Sequence, residues 1–403
     1  MSRAIGVALA ALVLARATVA TAQQAQPAPV DGRAQYPLLL RDSYVSINLG
    51  WIGYAFSASQ LQRGVQVQTV SVPHAAVRVA IFGHEFSRFL SVQGTYLRPV
   101  QFVSYRGLSV DGSSRHVWTH FGGVTAKARL PLDGRVSLYG EGGFGITSRH
   151  GFNLNGVPVV RDANYGSMLA GGGLEYHVDN RWDLTAGALY SPGRPQVEQP
   201  HMVFVSGGIR YTMRPLPPDR VAANAASASL FPRHVVQFEY STGYGYGVNT
   251  FLSKDLPVFW GGNVKTVSGL AGHYQQNVFH TRRIFALDVG ASVGAWRSRL
   301  THESFVTVSA YPLLRFTVLR RRDGDVFFTY SLAGPTYISR TIIDGLDTGH
   351  RFTFQDFLGA GVFVGARRRT SIEVKINHYS NGNIFTENAG VKVPLTVAVG
   401  WTF

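Results

Sequence analysis

SIEVKINHYSNGNIFTENAGVKVPLTVAVGWTF, residues 371–403, consists of two runs with a period of two residues on either side of a polar loop. Successive side chains of a strand point to opposite faces. In the second run Val393, Leu395, Val397, Val399, Trp401 and Phe403 fall on one face, and Pro394, Thr396, Ala398, Gly400 and Thr402 on the other. The first run sorts Ile372, Val374 and Ile376 from Ser371, Glu373, Lys375, Asn377 and Tyr379, so His378 and Ser380 continue its apolar face. A soluble barrel or sandwich and a membrane wall both have one apolar face, and the opposite face separates them. A soluble exterior carries long charged side chains, whereas here that face offers the small and polar groups suited to the crowded lumen of a transmembrane barrel. The pattern predicts membrane strands, with His378 and Ser380 on the lipid-facing wall.

The same alternation recurs along the chain. Trp182, Leu184, Ala186, Ala188 and Tyr190 oppose Asp183, Thr185 and Gly187, and Val236, Phe238 and Tyr240 oppose Gln237, Glu239 and Ser241. It predicts strands over 43–58, 73–83, 87–104, 116–130, 135–148, 164–177, 181–192 and 202–213 in the first half. The second half follows with 234–247, 266–279, 283–297, 304–319, 325–340, 350–367, 371–380 and 393–403. A chain of 403 residues with 45 glycines has the length for sixteen membrane strands of about ten residues each. They could close as one porin-sized barrel or as two smaller ones. Between Met213 and His234 runs RPLPPDRVAANAASASLFPR, rich in Pro, Ala and Ser and far longer than the short periplasmic turn between neighbouring strands of one barrel. It favours an all-β fold of two consecutive eight-stranded antiparallel transmembrane β-barrels, 43–213 and 234–403, with a periplasmic linker at 214–233. Side chains fill an eight-stranded barrel, which weakens a pore function and puts any binding surface on loops or outer wall.

Met1–Ala22 has a basic Arg3, an apolar run from Ala4 to Ala15 and an Ala20-Thr21-Ala22 cleavage pattern, the layout of a signal peptide. A periplasmic segment is then expected over 23–42, and the bacterial outer membrane is the expected location. The apolar run falls short of the roughly 20 residues a helical span needs, and no other stretch is continuously apolar at that length. Cysteine is absent, which excludes disulfides, thiolate catalysis, zinc–thiolate sites and a cysteine lipid anchor. The net charge is +15, or +13 once Arg3 and Arg16 leave with the signal, and lysine occurs only at 127, 254, 265, 375 and 392. Arginine forks suit phosphates. Export and lumen-facing alternation argue against nucleic acid as the partner. Lipopolysaccharide phosphates are the expected anions, beside the plainer reading that arginines line lumens, loops and interfaces.

His378-Tyr379-Ser380-Asn381, followed by Asn388, Gly390 and a strand with an aromatic end, resembles the motif of the lipid A 3-O-deacylase (PagL-type) or acyloxyacyl hydrolase family of outer-membrane barrels. The resemblance covers roughly residues 234–403, and HRFTFQDFLGAGVFVG at 350–365 is similar to the strand that precedes the motif in such proteins. It implies removal of an ester-linked acyl chain from lipid A, lipopolysaccharide or another outer-membrane lipid, with no cofactor and no metal. By the resemblance Ser380 is the nucleophile, His378 the general base and Asn381 a side-chain donor to the oxyanion. The chemistry is independently reasonable, because a serine needs a nearby base, an imidazole exchanges protons near neutral pH, and an amide donor stabilises a tetrahedral oxyanion. GGGLEYHVDNRWDLTAGALY and GGIRYTM in the first half resemble small OmpA-like outer-membrane barrels, a likeness that implies no activity.

The motif departs from that family at Lys392, two residues after Gly390, where the family carries the acid that orients its histidine. A lysine cannot accept the imidazole proton. Glu387 in the same loop and the amide oxygen of Asn388 are the substitutes at hand, while Glu373 falls on the lumen face. Three states stay open: a replacement acid, a weaker dyad, or lost activity in a structural or surface-binding barrel. His-x-Ser alone recurs by chance in a chain with 13 histidines, as at His302-Glu303-Ser304. The whole motif, set against ordinary polar residues at a barrel rim, makes His378 and Ser380 the candidate pair.

Overall fold

The computed structural model describes residues 32–255, 259–385 and 387–403; the signal peptide expected at 1–22 lies outside them. In the first half eight strands bury one row of side chains and expose the other: β1 (Ser43–Tyr54), β2 (Ala75–Glu85), β3 (Leu90–Pro99), β4 (Ser114–Pro131), β5 (Val136–His150), β6 (Ala163–His177), β7 (Trp182–Ser191) and β8 (Met202–Thr212). Each pairs antiparallel with its neighbours in order, and β8 returns to pair with β1. The second half repeats the plan with β9 (His234–Ser241), β10 (Val264–His280), β11 (Phe285–Ser298), β12 (Ser304–Arg321), β13 (Gly324–Ile338), β14 (Phe352–Val364), β15 (Thr370–Ser380) and β16 (Val391–Thr402). There β16 closes on β9. The fold is two closed eight-stranded barrels, not one of sixteen strands. Among the described residues no helix is long and apolar enough to cross a membrane.

Both barrels are inside-out by soluble standards. In the first lumen Glu175 accepts from Lys127 Nζ at 2.9 Å, Arg129 Nε at 2.7 Å and Arg210 Nη1 at 3.2 Å. In the second, Glu239 lies 2.8 Å from His273 Nε2 and 3.1 Å from Lys375 Nζ, and accepts from Asn377 Nδ2 at 2.7 Å. A buried ion costs several kcal/mol unless it is paired, and the cations of these two networks meet acids; Arg149, buried on the inward row of β5, instead donates to the Arg161, Glu198 and Val197 carbonyls. The outer walls carry Phe144, Phe238, Leu270 and other large exposed apolar side chains, which a bilayer satisfies and water does not.

Three departures from the expected strands have local causes, and one tryptophan sits on the inward row. The strand expected over 87–104 stops at Pro99, which has no N–H to donate; Val103–Leu108 forms a separate piece paired with the start of β4 and with Val67–Ser71. The strand expected over 234–247 stops at Ser241 because Gly243 and Gly245 take φ values of 73° and 84°, and a helical turn, Tyr246–Thr250, follows. These glycines make a turn and do not serve lumen packing. Trp296 is buried and donates to Thr307 Oγ1 at 3.0 Å, so it is not part of an interfacial girdle, unlike the exposed Trp182 and Trp401. In β16, finally, Lys375 pairs with Thr396 and Asn377 with Val393, so three residues of β16 span two of β15. The extra residue swaps faces for everything beyond it. Val393 turns inward and is fully buried, while Val397, Val399 and Trp401 keep the outward face.

The chain enters and leaves each barrel at the same end. There the linker forms a short helix, Pro218–Ala225, whose Asn224 Nδ2 donates to the Ala34 carbonyl at 3.0 Å. Arg33 donates to the Phe231 carbonyl at 3.0 Å. Tyr36 bonds Tyr211 of β8 at 2.7 Å and packs on Phe279 of β10 with ring centres 4.4 Å apart. The segment before β1 therefore ties the bases of both barrels together.

Candidate active site

The inserted residue in β16 also turns Lys392 outward, and it completes a row. Asp356 of β14 pairs with His378 of β15, and His378 with Lys392 of β16. The row lies on the outer wall, since Ile372 and Val374 on the same face of β15 are exposed while Ser371, Glu373, Lys375, Asn377 and Tyr379 are buried in the lumen. His378 nonetheless has only 2% of its surface exposed. The segment between β9 and β10 folds across it: Trp260 lies nearly parallel to the imidazole at 6.3 Å and Phe259 meets it edge-on at 6.2 Å. Trp260 also stacks on Tyr330 of β13. Backbone bonds from Asn263 to Ala389 (2.7 Å) and from Val264 to Gly390 (3.1 Å) fasten this cover to the chain entering β16. Gly390 is required there, because its φ is +60° and a Cβ would sit 3.4 Å from His378 Nε2 and 3.3 Å from Gly262 Cα.

Asp356 is the acid that sequence reasoning missed. Its Oδ2 lies 3.5 Å from His378 Nδ1, and its Oδ1 accepts from the Ala333 backbone N–H at 2.6 Å. Ala333 has φ +53° within an irregularity of β13 between Ser331 and Gly334. A bulge of this kind frees a backbone N–H from the ladder and re-aims it, here onto the carboxylate. Neither ring nitrogen of His378 has a hydrogen-bond partner among the described residues. A signal for Asp356 was available: the outward row of β14 reads Phe352, Phe354, Asp356, Leu358, Ala360, Val362 and Val364, with one acid on an otherwise lipid-facing face.

The structure gathers His378, Ser380 and Asp356, with Ser380 two residues beyond His378 on the same face and opposite Phe354. It does not join Ser380 to His378 by a hydrogen bond. The other expected site residues form a brace beneath the loop. Asn381 Nδ2 donates to the Thr348 carbonyl at 3.1 Å and the Glu387 carbonyl at 2.6 Å, so its amide has no hydrogen left for an oxyanion in this arrangement. Asn388 Oδ1 accepts from the Asn381 backbone N–H at 3.0 Å, and Asn388 Nδ2 donates to Asn383 Oδ1 at 2.8 Å; Asn388 does not hold the His378 ring. The Glu387 side chain is exposed. Glu373 is in the lumen, where Gln237 donates to it at 2.9 Å.

Two closed barrels with lipid-facing walls, one bearing a buried acid–imidazole pair at the end away from the chain termini, define an outer-membrane β-barrel protein. Residues 268–401 match the family model described as Lipid A 3-O-deacylase (PagL). Among solved structures the chain is similar to the outer membrane enzyme PagL, at 16% identity over 42% of this chain and 99% of that one, with TM-score 0.30. It is also similar to Neisserial surface protein A, at 17% identity over 42% of this chain and 97% of that one, with TM-score 0.29. Ail of Yersinia pestis gives 18% identity over 42% and 99% of the two chains, with TM-score 0.27. No curated protein matches the chain. The exposed apolar walls of two closed barrels, together with the family match over residues 268–401, place the protein in the outer membrane.

Proposed function

We propose that the C-terminal barrel is a serine carboxylic-ester hydrolase that removes an ester-linked acyl chain from lipid A or a related outer-membrane lipid. The observation that carries this reading is the Asp356–His378 pair, buried on the outer wall with Nδ1 and Oδ2 3.5 Å apart and two residues from Ser380. An acid and an imidazole on a bilayer-facing wall are costly and are seldom kept without a task. Buried ring nitrogens without partners also call for an explanation, and a general base whose Nε2 awaits a serine proton supplies one. The family match over residues 268–401 supports the same chemistry.

In this mechanism Ser380 Oγ gives its proton to His378 Nε2 and attacks the ester carbonyl. The tetrahedral intermediate collapses, the acyl C–O bond to the lipid alcohol breaks, and the imidazolium returns the proton to the departing alkoxide. Water then attacks the acyl-serine with His378 again as base, releasing the fatty acid. Asp356 accepts Nδ1–H and stabilises the imidazolium, the part played by the acid of a serine triad. Trp260 must move for an ester to reach Nε2. Asn381 serves as an oxyanion donor only if its amide leaves Thr348 and Glu387.

The test is mass spectrometry of lipid A incubated with the detergent-folded protein and with Ser380→Ala. Loss of one acyl chain with the wild type alone is the expected result. No loss with either, in folded samples and across several lipids, would leave a non-catalytic surface barrel, the reading favoured by Lys392 and by the engaged Asn381 amide.

A further inference from the structure

The loop after Ser380 is held from outside its own barrel. Asn383 Oδ1 lies 3.2 Å from His150 Nε2, and Asn383 Nδ2 contacts His120 Nε2. The Asn383 carbonyl accepts from Ser148 Oγ at 3.3 Å and from Asn164 Nδ2 at 2.8 Å. Asn164 Nδ2 also reaches the Phe385 carbonyl at 3.3 Å. His120, Ser148, His150 and Asn164 occupy outward positions of β4, β5 and β6 in the first barrel, on the wall whose other outward residues include the exposed Val124, Phe144 and Met168. Polar side chains on a lipid-facing wall are expensive unless partnered, and all four reach Asn383; within the wall Asn164 Nδ2 also donates to Ser148 Oγ at 3.1 Å and His150 Nδ1 lies 3.9 Å from Asp162 Oδ2. Asn383 has φ +58°, a conformation asparagine tolerates better than most residues. The hydrogen bonds then run on through Asn388 to the backbone of Asn381, next to Ser380.

We infer that the N-terminal barrel is the docking wall of this loop, and that Ser148, His150 and Asn164 are positioning residues for the Ser380 site. For its effect on activity the inference rests on the esterase reading; for the docking itself it does not. Each such hydrogen bond contributes about 1 kcal/mol net, so losing the four made by Ser148, His150 and Asn164 should loosen the loop while both lumens keep their networks.

The test uses the full chain folded in detergent. In the Ser148→Ala/His150→Ala/Asn164→Ala variant, amide hydrogen exchange across 381–390 is expected to quicken about tenfold or more, with the strands of both barrels still protected; unchanged protection in the loop would overturn the docking. The chain has no cysteine, so Ser148→Cys with Asn383→Cys offers one pairing only. An intramolecular disulfide under mild oxidation is expected, and its failure to form in heat-modifiable, folded protein would overturn the inference as well. On lipid substrate the triple variant should lose kcat with KM little changed, and unaltered kcat would remove the positioning role. An inactive wild type would defeat the esterase reading while the exchange and disulfide results still decide the docking.

A separate feature lies at the opposite end of the second barrel. Its periplasmic turns carry Arg282 and Arg283 after β10, Arg321 at the end of β12 and Arg322 after it, and Arg367 and Arg369 after β14, with Arg233 just before β9. None of these has an acid at ion-pair distance among the described residues, whereas Arg320 and Arg368 both pair with Asp325. Arg233, Arg367, Arg368 and Arg369 line a cavity of about 220 Å³ beside Phe403. The exposed Trp401 and Phe403 set this rim at the membrane interface. We infer a site for the phosphate of an anionic phospholipid of the inner leaflet, gripped by guanidinium forks. Native mass spectrometry from nanodiscs of equal phosphatidylglycerol and phosphatidylcholine should find phosphatidylglycerol retained on the wild type. The preference should vanish in Arg233→Gln/Arg367→Gln/Arg369→Gln. Equal retention of the two lipids would overturn the site, and displacement of the lipid by millimolar inorganic phosphate would reassign it to free phosphate.

Discussion

Asp356 and His378 face each other on the outside of a membrane barrel, carboxyl to imidazole at 3.5 Å, while the Lys375–Glu239 and Arg315–Asp288 ion pairs of the same barrel are buried in its lumen. The acid comes from the strand before the His-x-Ser motif instead of the loop after it. Lys392, the family's acid position, stands in register on the far side of the histidine.

If Asp356 orients the imidazole, Asp356→Asn should lower single-turnover deacylation by about 10²–10⁴-fold, the scale seen when a triad acid is neutralised, with the folded band on a gel unchanged. A wild-type rate would remove Asp356 from the mechanism. Ser380→Ala should abolish turnover in the same assay.

Lys392→Glu places a second carboxylate in register with His378. With Asp356 already present, the single variant should change kcat by less than about threefold, since one oriented partner suffices for one ring. On the Asp356→Asn background the same change should restore part of the lost rate. A large gain in the single variant would mean that Asp356 does not serve His378.

Trp260 covers the imidazole and shares its stack with Tyr330. Trp260→Ala should expose Nε2 and raise hydrolysis of short water-soluble esters about tenfold, as expected when a cover limits access. An unchanged rate, with the loop cleaved no faster by added protease, would mean that esters reach the histidine by another path.

In the first lumen Glu175 holds Lys127, Arg129 and Arg210. Glu175→Ala strands these cations and should destabilise that barrel by about 3–5 kcal/mol, read as a lower transition temperature for heat modifiability. A shift under one degree would mean that Glu85, Glu141 and Asp183 reabsorb the charge.

Strand number, barrel count and the lipid-facing placement of His378 were legible because a period of two survives in almost every strand, and because residues 214–233 break it. What escaped depended on single insertions and on neighbours distant in sequence. The extra residue of β16 is silent in a run where Val391, Val393, Val397 and Val399 read alike on either face. The engagement of Asn381 needs Thr348 from another loop. Asp356 stood within a quoted motif strand, yet its meaning appears only when β14 is laid beside β15 in register. The polar residues on the wall of the first barrel were visible as exceptions, but nothing local names their partner.

Asn263 and Val264, which lead into the second strand of the C-terminal barrel, bond to Ala389 and Gly390 at the start of its last, and Trp260 reaches over His378 between them. The site is thus assembled from the opening and the closing stretches of one barrel. A chain still threading through the periplasm, or a sheet inserted but not yet sealed, holds every residue of the motif without the arrangement that could hydrolyse a lipid. On the esterase reading, hydrolytic competence would arrive with the final seam, and a half-inserted copy would be harmless to the membrane it is entering.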